Sequence, residues 1–195
     1  MTFEAMVEPK IKGFAVIKAR DTLEAQLGEG WLTQTAREQD PAWPERLLPG
    51  EWYPLSTHYY AMERAHAALG TSPSLRAMVT ELARDTAIED LNGLLRAFLW
   101  VATPRMFLRT ATRIWDTYAN FTTVSEIDNA EDCYTVHIVE IPAEFVDWVA
   151  GCWLGFLPAA LELVGAEEVK GEILDAKPSE GADTWELRFR MTYTS

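Results

Sequence analysis

A chain of 195 residues that is 48% hydrophobic is long enough to bury a substantial core, and a single domain is expected. Its formal net charge of -13 repels phosphate backbones and anionic lipid headgroups, so nucleic acid and membrane surfaces are excluded as partners. Two cysteines, Cys133 and Cys152, allow at most one disulfide, and Glu4, Glu8 and Lys10 interrupt any export-like start, which makes the cytoplasm the expected compartment.

The first apolar segment begins near Ile11. A short strand can open it, but Phe14, Ile17, Leu23 and Leu27 suit a helix that runs to the Gly28-Glu29-Gly30 break. A second short helix is predicted from Trp31 to Glu38. Asp40 to Pro54 holds four of the ten prolines and reads as a loop, packed on the body through Trp43, Leu47, Leu48, Trp52 and Tyr53. Leu55 to Leu69 is a predicted helix closed by Gly70. Ser72 as cap and Pro73 in the first turn start another. Its apolar stripe holds Leu75, Met78, Val79 and Leu82, and a second stripe holds Leu91, Leu94, Leu95, Phe98 and Leu99, with a break expected between Ala83 and Glu89. Thr103-Pro104 then begins a helix ending near Asn120.

After Phe121 the period changes from helical to alternating. Phe121 to Ile127 and Cys133 to Ile141 read as a hairpin across an acidic turn. Phe145, Trp148, Val149, Cys152, Phe156, Leu157, Leu161 and Val164 fall at helical spacing. The apolar stretch from Trp148 to Leu161 is shorter than the about 20 residues a membrane span needs, and is expected to be a buried helix. Glu168 to Lys177 and Thr184 to Thr194 form a second hairpin. In its last strand Trp185, Leu187, Phe189, Met191 and Tyr193 alternate with polar residues and so share one face. The predicted fold is α+β: a mainly helical part over 1-120, then an antiparallel four-strand sheet of two hairpins over 121-195, with the long helix between the hairpins packed on the sheet.

Candidate chemistry is sparse. Glu63 and His66 have the Glu-x-x-His spacing of di-iron carboxylate sites, but no second such pair exists, and surface or packing roles compete. The cysteines lack zinc spacing, and Cys152 sits on an apolar stripe as a small hydrophobe. No nucleophile elbow, phosphate loop or dinucleotide turn is present. No catalytic or metal-binding residue is therefore assigned. Arg105, Arg109 and Arg113, with Arg96 before them, align along a helix as a surface for an acidic ligand or partner, or as a solvated face. Trp100 and Trp115, with Trp52 and Tyr53, line either a pocket or the core. Gly151 and Gly155 clear a strip for close approach of another helix, a strand, a flat ligand or a second copy.

Four runs of residues carry a resemblance. Glu51-Trp52-Tyr53-Pro54-Leu55, Asp90-Leu91-Asn92-Gly93 followed by Phe98-Leu99, Trp115-Asp116-Thr117-Tyr118, and Ala160-Leu161-Glu162 before Gly165-Ala166 resemble a paralogous family of unknown function expanded in myxobacteria. The resemblance covers most of the chain from about Gly13, and departs from the family at Pro142-Ala143-Glu144-Phe145, where members have a longer polar stretch. More remotely, Lys12-Gly13 and Gly28-Glu29-Gly30-Trp31, with the strand-helix-strand order, are similar to haem-nitric-oxide-binding domains and their vinyl-reductase-type relatives. That resemblance implies an α+β ligand-binding or dimerising module. Its haem-binding members use a mid-chain helix histidine and a Tyr-x-Ser-x-Arg clamp; Asp85 to Tyr118 holds no histidine and the clamp is missing, so no cofactor is expected.

The reading favoured on these grounds is a non-enzymatic bacterial sensory module that binds a small apolar ligand or a protein partner. Its pocket is expected between the late helix and the sheet or the preceding helices, near Trp100, Trp115, Trp148, Cys152 and Phe156. The alternatives are a homodimeric interaction module without a ligand, and an enzyme with an unfamiliar acid/base pair such as Glu63 with His66.

Overall fold

The computed structural model describes residues 8–92, 103–130, 132–181 and 183–194. Trp100, Arg96 and the stripe residues Leu94, Leu95, Phe98 and Leu99 lie outside them.

Strand β1 (Lys10–Lys12) leads directly into helix α1 (Gly13–Leu27) and pairs antiparallel with β2 (Trp52–Pro54), Ile11 opposite Tyr53. The short strand that the sequence allowed at Ile11 is thus present, but its partner in the proline-rich loop was read as loop, because three residues are too few to show a period. The small sheet places Gly13 where only glycine fits: a Cβ there would stand 2.0 Å from the Leu48 carbonyl oxygen. The proline-rich loop that follows α2 (Trp31–Gln39) is packed, as predicted. Trp43 is buried in it against Tyr53, whose hydroxyl accepts from the Leu48 amide at 2.8 Å.

Helix α3 (Leu55–Leu69) ends where Gly70 turns left-handed. In α4 (Leu75–Asn92) two expectations change. The cap is Ser74, whose Oγ accepts from the Ala77 amide, while Ser72 donates to Glu81 instead. The helix also continues through Ala83 to Glu89, because that stretch contains no proline or glycine and its neighbours pack along its whole length. Thr103 caps α5 (Pro104–Tyr118) by accepting from the Met106 amide at 3.3 Å.

Strands β3 (Thr123–Asn129), β4 (Cys133–Pro142), β5 (Glu167–Pro178) and β6 (Thr184–Thr194) form an antiparallel sheet in the order β3-β4-β6-β5. The fold class is thus the α+β arrangement the alternation indicated. Leu187, Phe189, Met191 and Tyr193 of β6 face inward with Tyr134, Val136 and Ile138 of β4. The outer face is held by ion pairs across strands, Arg190 with Glu172 and Lys177 with Glu186.

A 3-10 turn (Ala143–Phe145) opens helix α6 (Val146–Leu163) between the hairpins. Together they make 21 residues of mean hydropathy 1.3, so this segment is longer than the sequence suggested and meets a membrane span's length and composition. Its side chains are instead mostly buried, with α4 on one side and the sheet on the other; Trp153 stacks 5.8 Å from Phe189 of β6.

Candidate functional site

Six elements meet at a cavity of about 90 Å3: β1, α1, α3, α4, α5 and α6. Among the described residues, none from the four-strand sheet lines it. The site therefore lies on the helical side of α6, the second of the two places the sequence reading named.

The lining is nearly all apolar. Phe107, Ala111 and Ile114 come from α5, Val79, Leu82 and Ala83 from α4, and Met62 from α3. Of the residues predicted to line a pocket, Trp115, Trp148, Cys152 and Phe156 all do so. They sit in a lattice of rings, Trp115 lying 5.5 Å from Trp153 and 6.2 Å from Trp148, and Phe156 lying 5.4 Å from Tyr118. Large flat side chains meeting at tilted angles fill space poorly at their junctions, which is why a void persists among so many buried residues.

The polar groups around the void fall into two sets. Trp115 donates through Nε1 to the Thr122 hydroxyl at 2.7 Å, and the Thr86 hydroxyl donates to the Leu82 carbonyl. Tyr118 donates to Asp90, which also meets Lys18 at 2.8 Å; Lys18 meets Glu89 at 2.9 Å as well. Burial first, and then the Asp90 carboxylate, push the Tyr118 hydroxyl far above its ordinary range, so it stays protonated. For Lys18, burial works against the charge, but the bonds to Asp90 and Glu89 outweigh it and the ammonium is held. This network ties the ends of α4 and α5 to α1. Burial pushes the Cys152 thiol well up, leaving it protonated and a weak nucleophile.

The second set has no partner. His58 is 2% exposed, and its Nδ1 makes no hydrogen bond. Desolvation lowers its pKa to about 4, so the imidazole is neutral. Trp153 Nε1 is also buried and unpaired. Sequence reasoning passed over His58 although a signal existed: with Leu55, Met62 and Ala65 it falls at spacings of three and four on the buried face of α3.

The other predicted residues are dispersed. Arg105, Arg109 and Arg113 are exposed along α5, with no ion pair among the described residues. Gly151 and Gly155 face α4 of the same chain: a Cβ on Gly155 would stand 2.1 Å from the Thr80 carbonyl oxygen, and one on Gly151 would stand 2.9 Å from that of Arg76. The strip thus receives another helix of the same chain, one of the partners its small residues allow, and this leaves it covered against a second copy. Glu63 is exposed, and the nearby His66 ring bonds the Ser72 carbonyl at 3.0 Å, so the spacing does not assemble an acid/base pair. Cys133 lies on β4, far along the chain from the cavity, and both cysteines are free. Among the described residues no group of three or more histidine, cysteine, aspartate or glutamate side chains is placed to hold a metal ion.

No protein-family model matches the chain, and no curated protein matches it by sequence. Solved structures do match. An oxygen-binding H-NOX domain related to soluble guanylate cyclases, in its oxygen complex, superposes with a TM-score of 0.67 at 12% identity, over 95% of this chain and 96% of that one. The Fe(II) unliganded H-NOX protein from K. algicida gives 0.69 at 13% identity, over 95% and 97%. An H-NOX protein studied for the function of its haem distortion gives 0.69 at 13%, over 95% and 96%. The remote similarity expected from the sequence is therefore present in the fold. The expectation of no cofactor is corrected by the same finding: the neighbours are haem proteins, and a missing mid-helix histidine and clamp do not take haem off the list of candidates for a chain folded as they are.

Proposed function

We propose that the chain is a single-domain sensory module, and that the cavity between α3, α4, α5 and α6 is its ligand site. One observation carries this: an apolar void, walled by six elements, survives in an otherwise tightly packed helical layer. The fold supports the reading, since one of the domains it resembles binds oxygen. The short motifs shared with the myxobacterial family, and the similarity to vinyl-reductase-type domains, belong to the same reading.

The cavity's size bears on the ligand class. By a comparable measure about 10–15 Å3 holds a water and about 150 Å3 takes benzene, so about 90 Å3 suits an apolar molecule of on the order of four non-hydrogen atoms. Haem is judged against the same walls. His58 offers a neutral imidazole of the kind iron takes, but the volume is far below the about 300–1,000 Å3 of cofactor sites, and among the described residues no lysine or arginine lines the cavity to meet a propionate. The described residues do not fit haem, and haem binding would require α3, α5 and α6 to part.

Crystals of the full chain under xenon pressure test the reading. A xenon atom between Val79, Trp115 and Cys152 is expected; an empty cavity would overturn it. Titration with hemin supplies the competing outcome, since a stoichiometric Soret band lost in His58→Ala would replace the small ligand with haem.

A second reading, association with a second copy, is favoured by Arg105, Arg109 and Arg113. They project without an ion pair among the described residues, from a protein whose net charge of -13 offers a copy of itself many carboxylates. Sedimentation of the wild type and of the triple arginine-to-glutamine variant decides it. A dimer that weakens with salt and is lost in the variant is expected, and a monomer at every salt concentration would end the idea.

A further inference from the structure

Resting on the cavity as the ligand site, we propose that Tyr118 is the door to it, latched by its hydrogen bond to Asp90, and that this latch sets how fast a ligand enters and leaves. The deep walls offer no way in, since Phe107, Met62 and Trp153 are at most 4% exposed. Partly exposed lining runs instead along α4 and α5, through Leu82, Thr86, Ile114 and Tyr118. Thr86 and Asp90 stand four apart on α4, as Ile114 and Tyr118 do on α5, so each pair shares a helix face. Among the described residues, Tyr118 to Asp90 is the one side-chain hydrogen bond that joins these two helices.

Tyr118 reaches from the void to the surface. Its ring lines the cavity, and its hydroxyl donates to the Asp90 carboxylate, itself 21% exposed. Asp90 meets Lys18 at 2.8 Å, and Lys18 reaches on to the exposed Glu89. One side chain thus stands between an apolar void and a partly solvated ion-pair network. The ring rests edge-on against Phe14 at 4.6 Å and against Phe156 at 5.4 Å. Tyr118 is also the last residue of α5, and the chain leaves it extended at Ala119, so a turn of this side chain leaves the helix intact. A hydrogen bond to a charged acceptor reduces the open population by about ten- to a hundredfold, and a partly exposed ion pair by only about a few-fold. Such a latch is shut most of the time and still opens without unfolding.

Magnetic resonance of dissolved xenon with the full-length protein tests the door, because it reads the affinity of the cavity and the exchange rate of bound xenon separately. Tyr118→Phe keeps the ring and removes the latch; exchange is expected to quicken about tenfold, with affinity within about twofold of the wild type. Lys18→Met loosens Asp90 and is expected to quicken exchange about threefold. Thr86→Val alters a hydroxyl bonded within its own helix and is expected to change nothing. Wild type in enough urea to match the stability of Tyr118→Phe should keep the native rate. If Tyr118→Phe does not fold, Lys18→Met decides alone. Bound xenon whose exchange is unaltered in the folded variants would overturn the door and leave the cavity standing. Equal quickening by urea would overturn it too, since general loosening would then be the route. Absence of bound xenon in the wild type would overturn the cavity reading and the door with it.

Discussion

Helix α6 meets α4 and α5 in opposite ways. Along its glycine strip it closes on α4 until main chain approaches main chain, Gly155 lying where a single added carbon would strike the Thr80 carbonyl. Against α5 its aromatic side chains meet Trp115 and Tyr118 at tilted angles and leave a void of about 90 Å3. Small residues let helices pack to their backbones, whereas rigid rings set a minimum spacing that their neighbours cannot always fill. The first contact is suited to holding the fold, and the second to admitting a ligand.

The comparison can be broken most severely at the tight contact. Gly155→Leu is expected to destabilise the protein by about 3 kcal/mol, since the backbone of α4 must move to admit any side chain. Urea unfolding of the two proteins measures it.

The loose side is probed by pH. His58 has a folded pKa of about 4 against 6.5 as its ordinary value, so the unfolded chain binds the extra proton as pH falls. Stability from this group is full above pH 6.5 and is lost as pH drops towards 4. By pH 4.5 the loss is about 2.5 kcal/mol, from about 1.4 kcal/mol per pH unit. The difference between the pH profiles of the wild type and His58→Leu should show it, the variant's being flatter.

Filling the void sharpens the contrast. Ala111→Val adds carbon to the lining and is expected to raise stability by about 1 kcal/mol while abolishing xenon uptake, read by thermal melting and by crystallography under xenon. The smallest effect returns to the tight side, where Arg76 with Asp147 and Arg84 with Glu162 flank the glycine strip. Both pairs are well exposed, so Arg84→Gln should cost no more than about 0.5 kcal/mol in the same urea measurement.

Much of this contrast was legible beforehand. The alternation in β6, the stop at Gly70 and the packed proline-rich loop all followed from period and residue type. The Ser74 cap and the unbroken α4 did not, because Ser72 and Ser74 both suit a cap and only the docked helix decides between them. His58 was readable as a buried position on α3, but not as an unpaired one. A hydrogen-bond partner is a matter of what stands opposite, and the residues opposite it belong to helices many positions away.

The sequence by itself determined that helices precede a four-strand antiparallel sheet, that α6 is buried, and that its glycines invite close approach. These follow from local periodicity and side-chain size, which every stretch of chain carries within itself. Tertiary structure alone decided that α4, and not a second copy, occupies the glycine strip, and that the aromatic cluster encloses a void. Whether the same apolar residues make a core or a cavity depends on how rings from separate helices interlock, and no local pattern records that.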